Sequence, residues 1–400
     1  MGRVYIIGTY DTKGDELSYV NNLLKTKGIR TCTVDVSTRS HNKNPDVRAE
    51  EVASYHPSRP DFLKDNKGRG DAVTAMAEAL EIFVLQRKDV LAVLGLGGSG
   101  GTSLVTRTMR SLPVGIPKVM VSTVASGNVR PYVGESDIFM LYSVTDIAGI
   151  NRISATILGQ AAHAMVGMVQ NALPEVTESK PVVGMTMFGV TTPCIEQMKA
   201  QIQDRYECLI FHATGSGGRS MEKLIDSGFV QFVIDITTTE ICDLLMGGVL
   251  SAGEERMDSI IRTGVPYVVS VGACDMVNFG AIETVPESYR SRNLYVHNPQ
   301  VTLMRTTPDE NRLIGEWIAV KLNQMTGPVN LLLPEKGVSA LSVKGQPFYD
   351  PEADQALFET LEDKVEINVN RQITRIAADI NDPAFARAAT EIFLTLIEST

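Results

Sequence analysis

A chain of 400 residues with 44% hydrophobic and 21% charged side chains has the length and make-up of two or three globular domains with real cores. Its 47 acidic and 37 basic residues leave a net charge of −10, with no basic patch interleaved with aromatics, which argues against nucleic acid as the main partner. No apolar run reaches the roughly 18 residues of a membrane helix, and the N-terminus enters a strand with no signal-like apolar region. The five cysteines (Cys32, Cys194, Cys208, Cys242 and Cys274) are scattered with no C-x-x-C spacing. A reducing, cytoplasmic setting is therefore expected, with no membrane contact and no structural zinc.

The first half reads as alternating strands and helices. RVYIIG (residues 3–8) is a strand, residues 15–24 a helix, and residues 29–36 a second strand, which makes a βαβ unit and hence a parallel sheet. Residues 37–67 carry no periodicity, only polar side chains and Pro45, Pro57 and Pro60, as a lid, an arm or a partner contact would. A helix over 70–87 leads to a buried strand at 90–94, a glycine-rich turn and a helix from about Ser103. A strand over 117–123, another within DIFMLYSVTDIAGIN and a long helix over 151–173 complete a domain of residues 1–175.

After a polar, proline-bracketed linker (174–181) the order restarts in a domain of residues 181–400. PVVGMTMFGVTTPC repeats the strand, glycine and Thr-rich turn of the N-terminus. YECLIFHATGSGGRSMEKLI brings a second glycine cluster (Gly215, Gly217, Gly218), and VQFVIDITTTEICDLL matches YSVTDIAGI, with Asp235 in the place of Asp146. PYVVSVGACDMVNFG reads as one strand with a polar end. A helix over 309–325, the strand PVNLLLP, a helix capped near Asp350 and an amphipathic closing helix over 383–397 follow. The expected fold is α/β, two doubly wound Rossmann-like domains with parallel sheets.

The chemistry concentrates after the strand at 90–94, where five of the seven residues from Gly95 to Gly101 are glycine. Bare backbone N–H groups at Gly97, Gly98, Ser99, Gly100, Gly101 and Thr102, at the positive end of a helix, make a phosphate-type site. It is not a P-loop, because Gly101 stands where a lysine is needed. Gly95, Gly97 and Gly100 fit the dinucleotide spacing, but the next strand ends in Ser122 and Thr123 with no acid for a ribose. Ligands of parallel sheets sit at the C-terminal ends of strands. The other strand ends of this half offer Thr9, Asp11, Thr12 and Lys13, then Asp35, Ser37 and Thr38, then Ser122 and Thr123. These groups supply hydroxyls, one ammonium and carboxylates able to hold Mg²⁺ through water.

The second half gathers imidazole, carboxylate and guanidinium at its strand ends. His212, Asp235, Glu240 and Arg305 are its candidate catalytic residues. One reading of the chain is then a metabolic enzyme, hydrolase or ligase in type, acting on a small phosphorylated or carboxylate substrate between the domains. Another is a protein-interaction module built on residues 37–67.

The motifs GTYDTKGDE, TVDVST, LGLGGSGGTSL, SLPVGIPKVMVSTVASG, GMTMFGVTTPC, FHATGSGGRSME, DITTTE, SVGACDMVNFG, QVTLMRTT, LPEKGVSAL and FYDPEAD resemble those of the tomato mosaic virus resistance protein family, from about residue 3 to residue 397. In the plant protein a further barrel-like domain follows this region. The resemblance implies two Rossmann-like domains that form a homodimer and bind ATP with Mg²⁺. The plant member acts on a viral replication protein, which makes a protein partner conceivable here. By motif, the nucleotide would be held by Lys13, by Ser37 and Thr38, and by the loop from Gly97 to Thr102, with Ser122 and Thr123 nearby. This chain has Gly14 where the plant motif carries a bulky residue.

Overall fold

The computed structural model of the chain describes residues 2–64, 68–171 and 180–398. It forms two compact units, residues 1–175 and 176–400.

The first unit runs β1 (Arg3–Gly8), α1 (Tyr10–Thr26), β2 (Thr31–Asp35), α2 (Ala49–Ala53), α3 (Arg69–Leu85), β3 (Val90–Gly97), α4 (Ser99–Ser111), β4 (Lys118–Ser122), α5 (Arg130–Val133), β5 (Ile138–Tyr142) and α6 (Arg152–Gln170). The five strands are parallel in the order β2-β1-β3-β4-β5. Alternate side chains feed two cores. Tyr5, Ile7, Val93 and Met120 pack under α3 and α4, while Val4, Ile6, Leu94 and Val121 pack under α1 and α6. Burial on both faces is what gives these strands their unbroken apolar runs.

Three local expectations change. Helix α4 starts at Ser99 rather than Ser103, so Gly100 and Gly101 lie in its first turn. Helix α1 starts at Tyr10 rather than Asp15 and is kinked at Lys13 (φ −133°). The segment 37–64 is not irregular throughout. It holds α2 and a 3₁₀ turn at Phe62–Lys64, and Val47, Val52 and Phe62 are buried in the core under α3. Its apolar residues are too sparse to show a period, yet each is an anchor. Residues 65–67 of that segment, and 174–179 of the expected linker, lie outside the described residues.

The second unit runs β6 (Val182–Met187), α7 (Thr192–Ile202), β7 (Glu207–His212), α8 (Ser216–Asp226), β8 (Phe232–Thr237), α9 (Glu240–Met246), α10 (Asp258–Thr263), β9 (Tyr267–Gly272), β10 (Met276–Phe279), β11 (Leu294–Asn298), β12 (Val301–Arg305), α11 (Pro308–Gln324), β13 (Val329–Pro334), α12 (Pro351–Lys364), β14 (Arg371–Ile376) and α13 (Pro383–Glu398). Six parallel strands follow the order β14-β13-β9-β8-β6-β7. Asp350 caps α12 as expected, its carboxylate accepting the Ala353 N–H. The stretch 266–280, expected as one strand, is two. The chain turns at Ala273, whose φ is +57°, and β10 leaves the parallel sheet to pair with β12 in a three-stranded antiparallel sheet, β10-β12-β11.

Strand pairing also fixes which parts of the halves correspond. β7, β6 and β8 neighbour one another as β2, β1 and β3 do. The second glycine cluster follows β7 and so stands in the place of the turn after β2. The counterpart of the first glycine loop is the Thr237–Glu240 turn after β8. Asp235 lies within β8, so it does not take the place of Asp146, which follows β5.

Candidate anion site in the first unit

In a sheet ordered 2-1-3-4-5 the chain reverses direction between β1 and β3, and the loops leaving these strands part to open a crevice. Here that crevice is a cleft of about 260 Å³. Its polar wall is made by Thr9, Asp11, Thr12 and Lys13 after β1, Thr38 and Arg39 after β2, and Gly98, Ser99, Gly100 and Gly101 after β3. Its apolar wall is Val36, Val73 and Leu104.

The glycines of the loop have different reasons to be there. A Cβ at Gly97 would lie 2.7 Å from the Gly101 carbonyl carbon and the Thr102 nitrogen, so Gly97 lets α4 sit tightly on the end of β3. Around Gly98 and Gly101 a Cβ would meet nothing closer than 3.6 Å, and around Gly100 nothing within 4 Å. None of the three has a positive φ. Neither packing nor backbone conformation demands glycine at these positions, and all three line the cleft. The N-cap residue Gly98 offers no side chain to the first turn of α4, a helix of 13 residues. The residues that open α4 thus line the cleft, with the positive end of the helix dipole behind them.

Across the crevice, Lys13 lines the cleft from the kink of α1, and its Nζ donates one hydrogen bond, 2.6 Å, to the Ile147 carbonyl. An ammonium has two further protons to give. Thr9 and Thr12 share a hydroxyl contact of 2.8 Å. Asp11 lines the cleft too, and its Oδ1 is buried with no hydrogen-bond partner among the described residues. A Cβ at Gly14 would lie 3.0 Å from the Lys43 side chain, whose ammonium pairs with Asp15.

Other predicted residues hold the frame. Asp35 is buried, and its Oδ1 accepts the Tyr10 N–H (3.1 Å), the Ser37 N–H (2.8 Å) and the Ser37 hydroxyl (2.5 Å). Ser37 Oγ in turn accepts the Asp11 N–H. These two residues cap α1, and Ser37 does not reach the cleft although its neighbour Thr38 does. The Thr102 and Ser122 hydroxyls, both fully buried, bond each other at 2.6 Å and tie α4 to β4. Thr123, half-buried, bonds the Gly97 carbonyl through its N–H and stays off the cleft lining. Arg39 was not among the expected residues, since an exposed arginine in a polar stretch gives no sequence signal of its own.

The second glycine cluster is occupied from within. Gly215 has a φ of +82°, a Cβ at Gly217 would run into the His212 carbonyl, and one at Gly218 would run into the Glu240 carboxylate. Glu240 Oε1 accepts the Gly215 N–H (2.6 Å) and the Gly218 N–H (3.1 Å), while its Oε2 accepts from Arg256 Nε (2.9 Å). Arg256 is itself buried and also pairs with Asp235 (2.7 Å) and Glu222 (3.2 Å). Asp235 further accepts from the Tyr267 and Thr186 hydroxyls, both at 2.6 Å. Burial pushes the Glu240 carboxyl up, against the opposing pull of Arg256.

Of the four candidate catalytic residues, Asp235 and Glu240 thus meet on Arg256 and are shut from solvent. Arg305 belongs to a separate buried cluster, donating to Asp354 (2.5 Å) and to the Phe348 carbonyl (2.8 Å). His212 stands exposed at the end of β7. Among the described residues no three His, Cys, Asp or Glu gather as a metal cage, and no helix is long and apolar enough to cross a membrane.

The model described as "Uncharacterised protein family (UPF0261) N-terminal domain" matches residues 2–174, and its C-terminal-domain counterpart matches residues 180–397. A UPF0261 protein of Rhizobium meliloti is 54% identical over 98% of this chain and 98% of its own length. One from Mesorhizobium japonicum is 53% identical over 97% and 98%. The tomato (Solanum lycopersicum) ToMV resistance protein Tm-1 is 43% identical over 98% of this chain, which spans 56% of that longer protein. Among solved structures, a C2-type ketoreductase from a modular polyketide synthase is similar over 94% of this chain and 81% of its own at 14% identity, but with a TM-score of only 0.24. Matched end to end by both domain models and by relatives above half identity, the chain belongs to the UPF0261 family.

Proposed function

We propose that the first unit binds ATP with Mg²⁺ in the crevice between β1 and β3, and that the bound nucleotide serves regulation or stability. One observation carries the reading: at Gly98, Gly100 and Gly101 the backbone is bare for no internal reason, at the start of a 13-residue helix that no side chain caps among the described residues, in the wall of a cleft. Backbone N–H groups so arranged suit phosphate oxygens. Lys13 would pair with one phosphate. A carboxylate beside a phosphate cradle repels the ligand unless a cation lies between them. The unpartnered Asp11 oxygen would hold Mg²⁺ together with phosphate oxygens and water, the usual make-up of such a site. Val36, Val73 and Leu104 offer an apolar surface to a nucleoside. The choice of ATP among phosphorylated ligands, and a homodimer, follow from the resemblance to the tomato protein's family.

Calorimetric titration with ATP and Mg²⁺ tests the reading. Binding is expected in the wild type, weakened about tenfold or more by Lys13→Ala, which removes a charge-assisted bond of about 1.5–3 kcal/mol. Gly98→Val should weaken it similarly by filling the cradle, and removing Mg²⁺ should weaken it as well. An affinity untouched by both substitutions would refute the site.

A further inference from the structure

We propose that Arg39 is a second cationic contact of this site, acting on the phosphates of the ligand; the inference rests on the nucleotide reading above. Arg39 lines the same cleft as Lys13 and the Gly98–Gly101 backbone. Its side chain is exposed and has no hydrogen bond or ion pair among the described residues. Its neighbours differ: His41 is bonded to Asp35 and Lys43 to Asp15. In a chain with ten more acidic than basic residues, Arg39 is the one cation of this segment that lines the cleft, and among the described residues no carboxylate pairs with it.

The segment is not a loose arm. Ser37 is fastened to Asp35 through both its N–H and its hydroxyl. The Lys43 N–H donates to His41 Nδ1 (3.1 Å), which leaves the proton on Nε2 to donate to Asp35 Oδ2 (2.7 Å). Arg39 is thus two residues from an anchor on each side, and both anchors are the carboxylate that also holds the start of α1. Further along, Asp46 accepts from Thr33, and Val47 bridges to Val34. Fixing the backbone at both ends lowers the ordering cost of closing a long side chain on a ligand.

Charge points the same way. Without Arg39 the cleft carries one ammonium, Lys13, and one carboxylate, Asp11, a sum near zero. With it the cleft has a surplus positive charge for a polyanion, on a planar fork that reaches two phosphate oxygens at once. The rival role for a guanidinium here is stacking on a base, which would not depend on salt.

The experiment is calorimetric titration of the full chain with ATP and Mg²⁺, comparing wild type, Arg39→Ala and Arg39→Lys at about 0.05 M and about 0.5 M NaCl, where screening shortens from over 10 Å to a few Å. Arg39→Ala is expected to bind about tenfold more weakly at low salt, a gap that narrows to under about threefold at high salt. Arg39→Lys, which keeps the charge but loses the fork, should fall between wild type and Arg39→Ala, and the unliganded melting temperatures of all three should agree. An Arg39→Ala affinity equal to wild type overturns the proposal, and so does a loss of the same size at both salt concentrations. A wild type that binds no ATP at all instead brings down the nucleotide reading on which the proposal stands.

Discussion

The Glu240 carboxylate accepts the Gly215 N–H at 2.6 Å, so the second glycine loop is already filled by an anion of the protein's own. In the first unit, among the described residues, no carboxylate accepts from the N–H groups that lead α4. Two glycine clusters that look alike in sequence therefore do different work. One is a finished internal contact inside an ion network centred on Arg256, and the other is an open cradle.

Binding stoichiometry should reflect that difference. Equilibrium dialysis with ATP and Mg²⁺ is expected to give one nucleotide per chain, and none measurable at the same concentration after Lys13→Ala combined with Gly98→Val. A second equivalent, or one that survives the double substitution, would place a nucleotide outside the first loop.

The two kinds of glycine in the first loop should separate stability from binding. Gly97→Ala forces a methyl against the Gly101 and Thr102 backbone at 2.7 Å, and overpacking of this kind costs about 1–3 kcal/mol. Gly100→Ala meets nothing within 4 Å and replaces a glycine in a helix, so it should stabilise the protein by about 0.4–1 kcal/mol while weakening ATP binding. Denaturant unfolding together with titration checks both. A Gly100→Ala protein that is less stable than wild type would contradict the open space at that position.

A buried acid makes a pH prediction with a definite sign. Burial pushes the Asp243 carboxyl up to about 7, although the backbone and side-chain N–H groups of Asn278 pull the other way. Between its ordinary value near 4 and about 7 the folded state holds a proton that the unfolded state has released. The stability from this group is therefore complete below about pH 4 and is lost as pH rises through about 7. Asp243→Asn removes the titration, so the stability of wild type relative to the variant should fall by an amount on the order of a few kcal/mol from pH 4 to pH 7. A difference that is flat across this range would show that Asp243 is ionised in the folded protein.

Much of the molecule was legible in the chain. The alternation of apolar runs with polar turns gives two parallel-sheet α/β units, because strands buried on both faces must be apolar throughout. The glycine density after Leu94, the Thr9–Lys13 turn and the Asp350 cap are local signals, and each lies where local chemistry put it. Local reasoning had less hold on Ser37, Thr102 and Ser122. A hydroxyl that caps a helix and one that meets a ligand have the same sequence signature, and only burial separates them.

What the sequence determined by itself is the set of elements and the density of glycine after Leu94. Tertiary structure decided the rest, through strand order. Pairing β1 with β3 opened the crevice at which Lys13, Asp11 and the α4 start meet. Pairing β7 with β6 put the second glycine cluster out of correspondence with the first and beside Glu240. The turn at Ala273 sent β10 into a separate antiparallel sheet. Arg39 gains a place at the cleft only because Asp35 holds the chain on both sides of it. Such contacts join residues far apart in the chain or fix the path of the backbone between them, and no local pattern of residues records either.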